Sequence, residues 1–157
     1  MALTLLPLKD MPLIEPEDDL PMAIANALDN DQMRLQSGDI LVLAQKIVSK
    51  AEDRFVNLTT ITPSDEALHY AKLTGKDPRL IELILSESKE VLRTRKNLII
   101  VVHHLGFISA NAGIDHSNVS GPWGDPDDWV LLLPENPDKS AEKIRETLEE
   151  RYNCRIG

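Results

Sequence analysis

The sequence predicts an α+β fold in which a mixed β-sheet carries several amphipathic helices. Three observations lead there. Residues 40–44 and 98–102 are unbroken Ile/Leu/Val runs ending in polar residues, the pattern of strands buried on both faces. Asp77-Pro78, Thr62-Pro63 and Asn136-Pro137 each set a capping residue before proline, the start signal of a helix. At 157 residues the chain can bury roughly 70% of its unfolded surface, so one self-sufficient domain is expected.

In chain order, residues 3–8 read as a short strand and Met11-Pro12-Leu13-Ile14 as a stiff connector, because proline fixes its own φ and biases its predecessor to extended geometry. Asp18 or Asp19 then caps a helix whose Leu20, Ile24, Ala27 and Leu28 share one face. A turn at residues 37–39 leads into the strand at 40–44. Residues 55–61 form another strand, and Thr62 caps a helix that Gly75 closes. The helix opened by Asp77-Pro78 is expected to run to about Arg95 on Leu80, Ile81, Ile84, Leu85, Val91 and Leu92. Residues 107–110 are the hairpin partner of the strand at 98–102, and both look central. Residues 111–128, rich in Gly, Pro and Asp, form a long loop of the kind that is functional in a compact domain. A strand at 129–133 and a helix with Ala141, Ile144, Leu148 and Tyr152 on one face follow. Residues 154–157 have the character of a strand's first step, so the chain reads as a fragment.

Charge narrows the function. Seventeen Lys+Arg against 26 Asp+Glu give a net charge of −9 and a pI near 4.9, a field that repels nucleic acid and anionic lipid. The apolar start is broken by Pro7 and followed by Lys9 and Asp10, which excludes a signal peptide or membrane span there. One cysteine, Cys154, allows neither an internal disulfide nor a cysteine-based zinc framework, and a reducing cytoplasm is the expected compartment.

Two constellations can carry chemistry. Gln45, Lys46, Ser49 and Lys50 follow a buried run, and two ammonium groups with a hydroxyl at the mouth of a sheet suit phosphate; the same residues also suit a solvated strand end. No Gly-rich phosphate loop of the ordinary kind is present. In Asn111-Ala112-Gly113-Ile114-Asp115-His116-Ser117-Asn118, the glycine permits close backbone approach, Asp115 can hold a hard cation, and Ser117 and Asn118 offer neutral hydrogen-bonding groups; Asx-rich turns also satisfy their own backbone. His103 and His104 are adjacent and point to opposite faces of a strand, so they do not chelate one ion. His69 is read as structural. Trp129 is expected to anchor a strand and Trp123, among Gly and Pro, to be exposed to a partner.

Met11-Pro12-Leu13-Ile14, residues 38–50 and residues 111–118, in that order, resemble the coenzyme F420-0:L-glutamate ligase family, and residues 75–80 and 131–134 extend the likeness over nearly the whole chain. The resemblance implies a GTP-dependent amide ligase that adds L-glutamate to coenzyme F420-0, a deazaflavin, and extends a γ-glutamyl tail through an acyl-phosphate intermediate, as an intertwined homodimer. It further implies that Met11, Pro12, Leu13, Ile14, Gln45, Lys46, Lys50 and Asn118 contact GTP and that Asp115 ligates Mg²⁺ or Mn²⁺; no residue is assigned as a covalent or acid–base catalyst. In that family a strand beginning near Ile156 leads to an Asp-Thr or Asp-Ser pair that completes the metal site. Residues 1–157 are accordingly expected to be the N-terminal part of such a domain, inactive alone, with a loop at 121–128 longer than in its relatives. The other readings are a non-catalytic nucleotide-binding or assembly domain of the same fold, and an amide ligase acting on another acidic small molecule.

Overall fold

The computed structural model describes residues 2–117, 119, 121 and 123–157. Their elements are α1 (Leu20–Asn30), α2 (Gln45–Ala51), β1 (Phe55–Asn57), α3 (Asp65–Thr74), α4 (Pro78–Ser86), β2 (Ser88–Arg95), β3 (Leu98–His103), β4 (Ile108–Ala110), β5 (Trp129–Leu131) and α5 (Pro137–Tyr152), with 3-10 turns at Leu58–Thr60, Asn111–Gly113 and Pro126–Asp128. The α+β class holds. The chain divides into two compact units, Met1–Arg54 with Pro134–Gly157, and Phe55–Leu133. Instead of a mixed sheet, the strands form two small antiparallel sheets, β1-β5 and β2-β3-β4.

The first unit is helical. Asp19 caps α1 by accepting the Met22 N–H, and Ile24 and Leu28 of α1 pack with Ile144 and Leu148 of α5 around Ile14 and Ile156. Ala141 is on the exposed side of α5 and takes no part in that core. The two helices are also latched: Arg151 meets Asp29 at 2.6 Å, and the Tyr152 hydroxyl donates to Asp29 at 2.9 Å. Two expected strands are absent. Residues 3–8 have no ladder; Leu3, Leu5 and Leu6 are exposed and Leu8 alone of the segment packs on the core. Residues 40–44 are extended, but Leu41 and Leu43 face the core while Ile40 and Val42 are 76% and 84% exposed, so the run is buried on one side only. Its backbone partner is Gly157, which donates to the Asp39 carbonyl at 2.9 Å and accepts from Leu41 at 2.8 Å, a parallel pairing that gives residues 154–157 the expected strand-like course.

The second unit builds α3 and α4 onto one face of the three-stranded sheet. On β3 the alternate residues Ile99, Val101 and His103 are buried, and Ile99 and Val101 pack with Ala67 of α3 and with Ile81 and Ile84 of α4. Ser64, not Thr62, caps α3, accepting from Ala67, and Gly75 closes it at φ +71°. The helix after Asp77 stops at Ser86 instead of Arg95: Val91 and Leu92 belong to β2, which returns along β3 through Lys96 and Asn97, with Asn97 at φ +62°. Residues 88–95 carry only Val91 and Leu92 as apolar residues, flanked by charged ones, and cross-strand pairing to β3 outweighs their helical spacing. β3 is central, as expected, whereas β4 is an edge. The strand expected at 55–61 is shorter, because Asn57 accepts the Thr59 N–H and turns the chain into a 3-10 turn.

Ile84 is fully buried between α4 and the sheet, so Ile84→Ala is expected to lower unfolding free energy by about 2–5 kcal/mol. Urea denaturation with an unchanged m-value checks this.

Candidate functional site

In the first unit the two lysines sit on a helix and not at a strand tip. Within residues 45–51 the apolar Ile47, Val48 and Ala51 recur at three- and four-residue spacing, and all pack on the α1/α5 core, so helical geometry buries them where an extended chain would bury alternate residues. The same geometry puts Lys46 and Lys50, four apart, on one face. Lys50 also lies in the last turn, where a cation is favoured by the helix dipole. Gln45 donates its side-chain amide to the hydroxyl of Ser49, which is fully buried.

The connector divides its residues. Ile14 is buried in the core and Met11 packs against it, while Pro12 is exposed and Leu13 is 90% exposed. Pro12 and Leu13 border a groove of about 640 Å³ whose other walls include the carboxylates of Asp10, Glu15, Asp18 and Asp19. The backbone N–H of Glu17 donates to the Ala51 carbonyl at 3.1 Å and ties this segment to the end of α2. Met11, Pro12, Leu13, Ile14, Gln45, Lys46 and Lys50 therefore share one unit.

Asp115 lies in the other unit. Asn111, Ala112 and Gly113 take φ of +53°, +52° and +71°, three left-handed residues in succession, and the chain leaves them directly into a backbone bridge with β5. Gly113 is needed twice over: its φ disfavours a side chain, and a Cβ there would lie 2.8 Å from Cδ1 of Leu133. Asp115 donates its N–H to Leu131 at 2.9 Å and accepts from Leu131 at 2.8 Å. Its Oδ1 accepts from both the backbone N–H and the hydroxyl of Ser117, each at 2.8 Å, which fixes the carboxylate's orientation. Asn118, the last expected GTP contact, lies outside the described residues.

A second cluster braces the loop beyond Asp115. Asp77 caps α4 through the Arg79 N–H and grips the Arg79 guanidinium at 2.7 Å, and Arg79 reaches Asp128 at 3.4 Å. Hydrogen bonding from Arg79 holds the Asp77 carboxyl below its ordinary value of 3.8, against the opposing effect of partial burial. His116 bonds the Asp127 carbonyl at 2.7 Å through Nε2. Trp129 is buried and donates Nε1–H to the Trp123 carbonyl at 2.6 Å, while Trp123 is 53% exposed, in agreement with the expectation for both. His103 is buried, stacked at 4.9 Å on Phe107, with Nδ1 accepting the Leu105 N–H and Nε2 3.6 Å from Glu87; His104 is exposed, so the pair diverges as expected. His69, read as structural, is exposed and meets Tyr70 edge-on. Among the described residues no three His, Cys, Asp or Glu side chains converge as a metal cluster.

Sequence reasoning passed over Asn57, whose Nδ2 is buried without an acceptor among the described residues, and the left-handed turn itself. Asn111 beside Gly113 is the one local sign of that turn, since asparagine tolerates positive φ.

Comparison with known proteins places this α+β polypeptide, with its oriented loop aspartate and lysine-bearing helix, in a single protein family. The sequence profile described as F420-0:Gamma-glutamyl ligase matches residues 9–157, and the chain belongs to that family. It is 45% identical over 150 residues to the coenzyme F420:L-glutamate ligase of Methanothermobacter thermautotrophicus, covering 96% of this chain and 57% of that protein. The ligase of the same name from Methanocaldococcus jannaschii is 41% identical over 126 residues, with 80% and 48% covered, and that of Methanopyrus kandleri 39% identical over 144 residues, with 92% and 53% covered. The chain thus spans about half the length of these curated relatives. No helix among the described residues is long and apolar enough to cross a membrane.

The Asp77–Arg79 pair predicts a pH signature. Because the folded-state pKa of Asp77 is depressed, its contribution is complete above the unfolded value of about 3.8 and is lost as pH falls through the lower folded value. Asp77→Asn keeps a capping side chain but removes the charge, so the stability gap between wild type and variant is expected to be constant at neutral pH and to close below pH 3.8. Urea unfolding at a series of pH values reads that gap.

Proposed function

We propose that this chain carries the nucleotide- and metal-binding part of an enzyme that joins L-glutamate to coenzyme F420-0 through an amide bond, with GTP as phosphoryl donor. The observation that carries the reading is the family match across residues 9–157, supported by 36–45% identity to proteins named coenzyme F420:L-glutamate ligase. In the proposed reaction the substrate carboxylate attacks the γ-phosphorus, the bond to the β-γ bridging oxygen breaks, and GDP leaves. The glutamate amine then attacks the acyl carbon of the mixed anhydride, losing a proton as phosphate departs.

The placement of the residues supports the roles proposed for them. Lys46 and Lys50 offset negative charge on the phosphates as it shifts toward the leaving group. Gln45, at the start of the same helix, adds a neutral amide. Exposed Pro12 and Leu13 offer apolar contact to the neutral part of the nucleotide, and the four carboxylates beside them keep the phosphates away. Met11 and Ile14 act from the core side, by fixing the connector's course.

Asp115 suits Mg²⁺ or Mn²⁺, since its carboxylate is pre-oriented by Ser117 and these ions are commonly held by one or two carboxylates together with substrate phosphates and water. The bound ion would neutralise phosphate charge and align the donor. With a single carboxylate of this kind, residues 1–157 alone are proposed to be inactive. Asn118 completes the proposed nucleotide contacts.

We also propose a homodimer working in the cytoplasm. Ile108 is 64% exposed on the sheet face opposite α3 and α4, alongside half-buried Ile100 and Val102, an apolar surface suited to a second copy. Light scattering of the full-length protein is expected to give twice the protomer mass.

Purified full-length protein with GTP, Mn²⁺, L-glutamate and F420-0 is expected to yield glutamylated coenzyme and one GDP per amide. Lys50→Ala and Asp115→Ala should each lower kcat/KM by at least about 100-fold, near 2.7 kcal/mol of transition-state stabilisation, with thermal stability close to wild type. Wild-type rates in either variant would remove that residue from the site. GTP binding without turnover by the full-length protein would instead mark an assembly domain.

A further inference from the structure

We propose that Trp123 is the platform on which the fused-ring system of the deazaflavin substrate stacks, an assignment that rests on the ligase reading above. The ring of Trp123 is 53% exposed, yet its position is set from several sides. It meets Trp129 edge-on at 5.1 Å and 74°, and Trp129 in turn meets Phe55 at 6.3 Å and 80°. The hydrogen bond from Trp129 Nε1 fixes the Trp123 carbonyl. Gly121 lies so close to the Trp129 ring that a Cβ would fall 2.0 Å from it, and no substituent fits between loop and ring. The far side of the loop is held by Asp128 on Arg79 and by the Asp127 carbonyl on His116, the neighbour of Asp115. A large aromatic ring kept half in solvent by a braced loop is a contact surface awaiting a flat partner.

The chemistry of the surroundings selects that partner. Asp125, Asp127 and Asp128 crowd the same loop, so a triphosphate is repelled from it, whereas a tricyclic ring with its phosphate and carboxylate at the far end can approach ring first. Three fused rings also cover more of an indole than a purine does.

The test uses the full-length protein and compares Trp123→Ala and Trp123→Phe with wild type. Stacking adds to substrate binding and not to the chemical step, so Trp123→Ala is expected to raise KM for F420-0 by about tenfold or more, while kcat at saturation, KM for GTP and melting temperature stay within about twofold or a degree or two of wild type. Trp123→Phe should recover most of the loss. Equilibrium dialysis of F420-0 without GTP should show the same order of affinity. An unchanged KM and dialysis constant in Trp123→Ala would overturn the proposal, as would a rise confined to KM for GTP. Should wild type form no amide yet bind F420-0 more tightly than Trp123→Ala, the ligase reading fails and the platform stands.

Discussion

The second unit hangs from Leu131. This residue is fully buried in a three-residue strand, and its backbone is engaged on both sides: Phe55 of β1 stands opposite it in one ladder, and Asp115 exchanges two hydrogen bonds with it from the other direction. A buried backbone amide or carbonyl left unpaired costs free energy comparable to a lost hydrogen bond. The need to satisfy Leu131 therefore fixes where Asp115 can be, and Asp115 brings Ser117 and His116 with it. Two residues upstream on the same strand, Trp129 opposes Asn57 and supports the loop that carries Trp123. One short strand thus sets the positions of a carboxylate and of an aromatic surface.

Reaching Leu131 from β4 demands an unusual chain path. Three left-handed residues in a row carry the chain from β4 to its bridge with β5, and Ala112, at φ +52° and ψ +24°, adopts a conformation that costs roughly 1–2 kcal/mol outside glycine. That cost is offset by burial, because Ala112 is packed among Ile81, Ile84, Ile99 and Val101 with 1% exposure. A larger side chain would not share that space, and a polar one would be buried without a partner. Gly113 then leaves the gap that Leu133 fills. Strain placed next to a carboxylate and relieved by a core suits a functional turn better than a passive connection.

Much of this was legible in the sequence, and the misses have physical causes. The starts of α1, α4 and α5 were readable because Asp19, Asp77 and Asn136 are capping side chains with a proline one or two residues on, a local signal that needs no tertiary context. The end of α4 was not, because Val91 and Leu92 fit a helical face as well as a strand and only pairing with β3 decides between them. Residues 40–44 and 45–51 were misread together: an apolar run followed by lysines resembles a strand and its tip, whereas burial on one side of the run and three- to four-residue packing beyond it make an extended segment and then a helix. At the site, residue types pointed to Asp115 and the lysines, but the assignment of Asp115 to one unit and of the predicted GTP contacts at 11–14 and 45–50 to the other, and the orphaned amide of Asn57, arise from chain topology that no local pattern encodes.

Charge gives the proposed nucleotide contacts a polarity. A protein of net charge −9 repels a triphosphate at long range, and within about 8–10 Å of the surface at physiological salt only local sign matters. In the first unit the groove beside Leu13 is walled by four carboxylates, two of them, Asp18 and Asp19, already spending oxygens on the Glu15 and Met22 backbone amides at the start of α1. Asp19 cannot be removed without uncapping the helix, so part of the groove's negative sign is a by-product of folding. Lys46 and Lys50 provide the opposite sign on a face of α2 that the core does not use. A nucleotide bound along this unit as proposed would be oriented by charge before any specific hydrogen bond forms, its neutral portion toward Pro12 and Leu13 and its phosphates toward the helix.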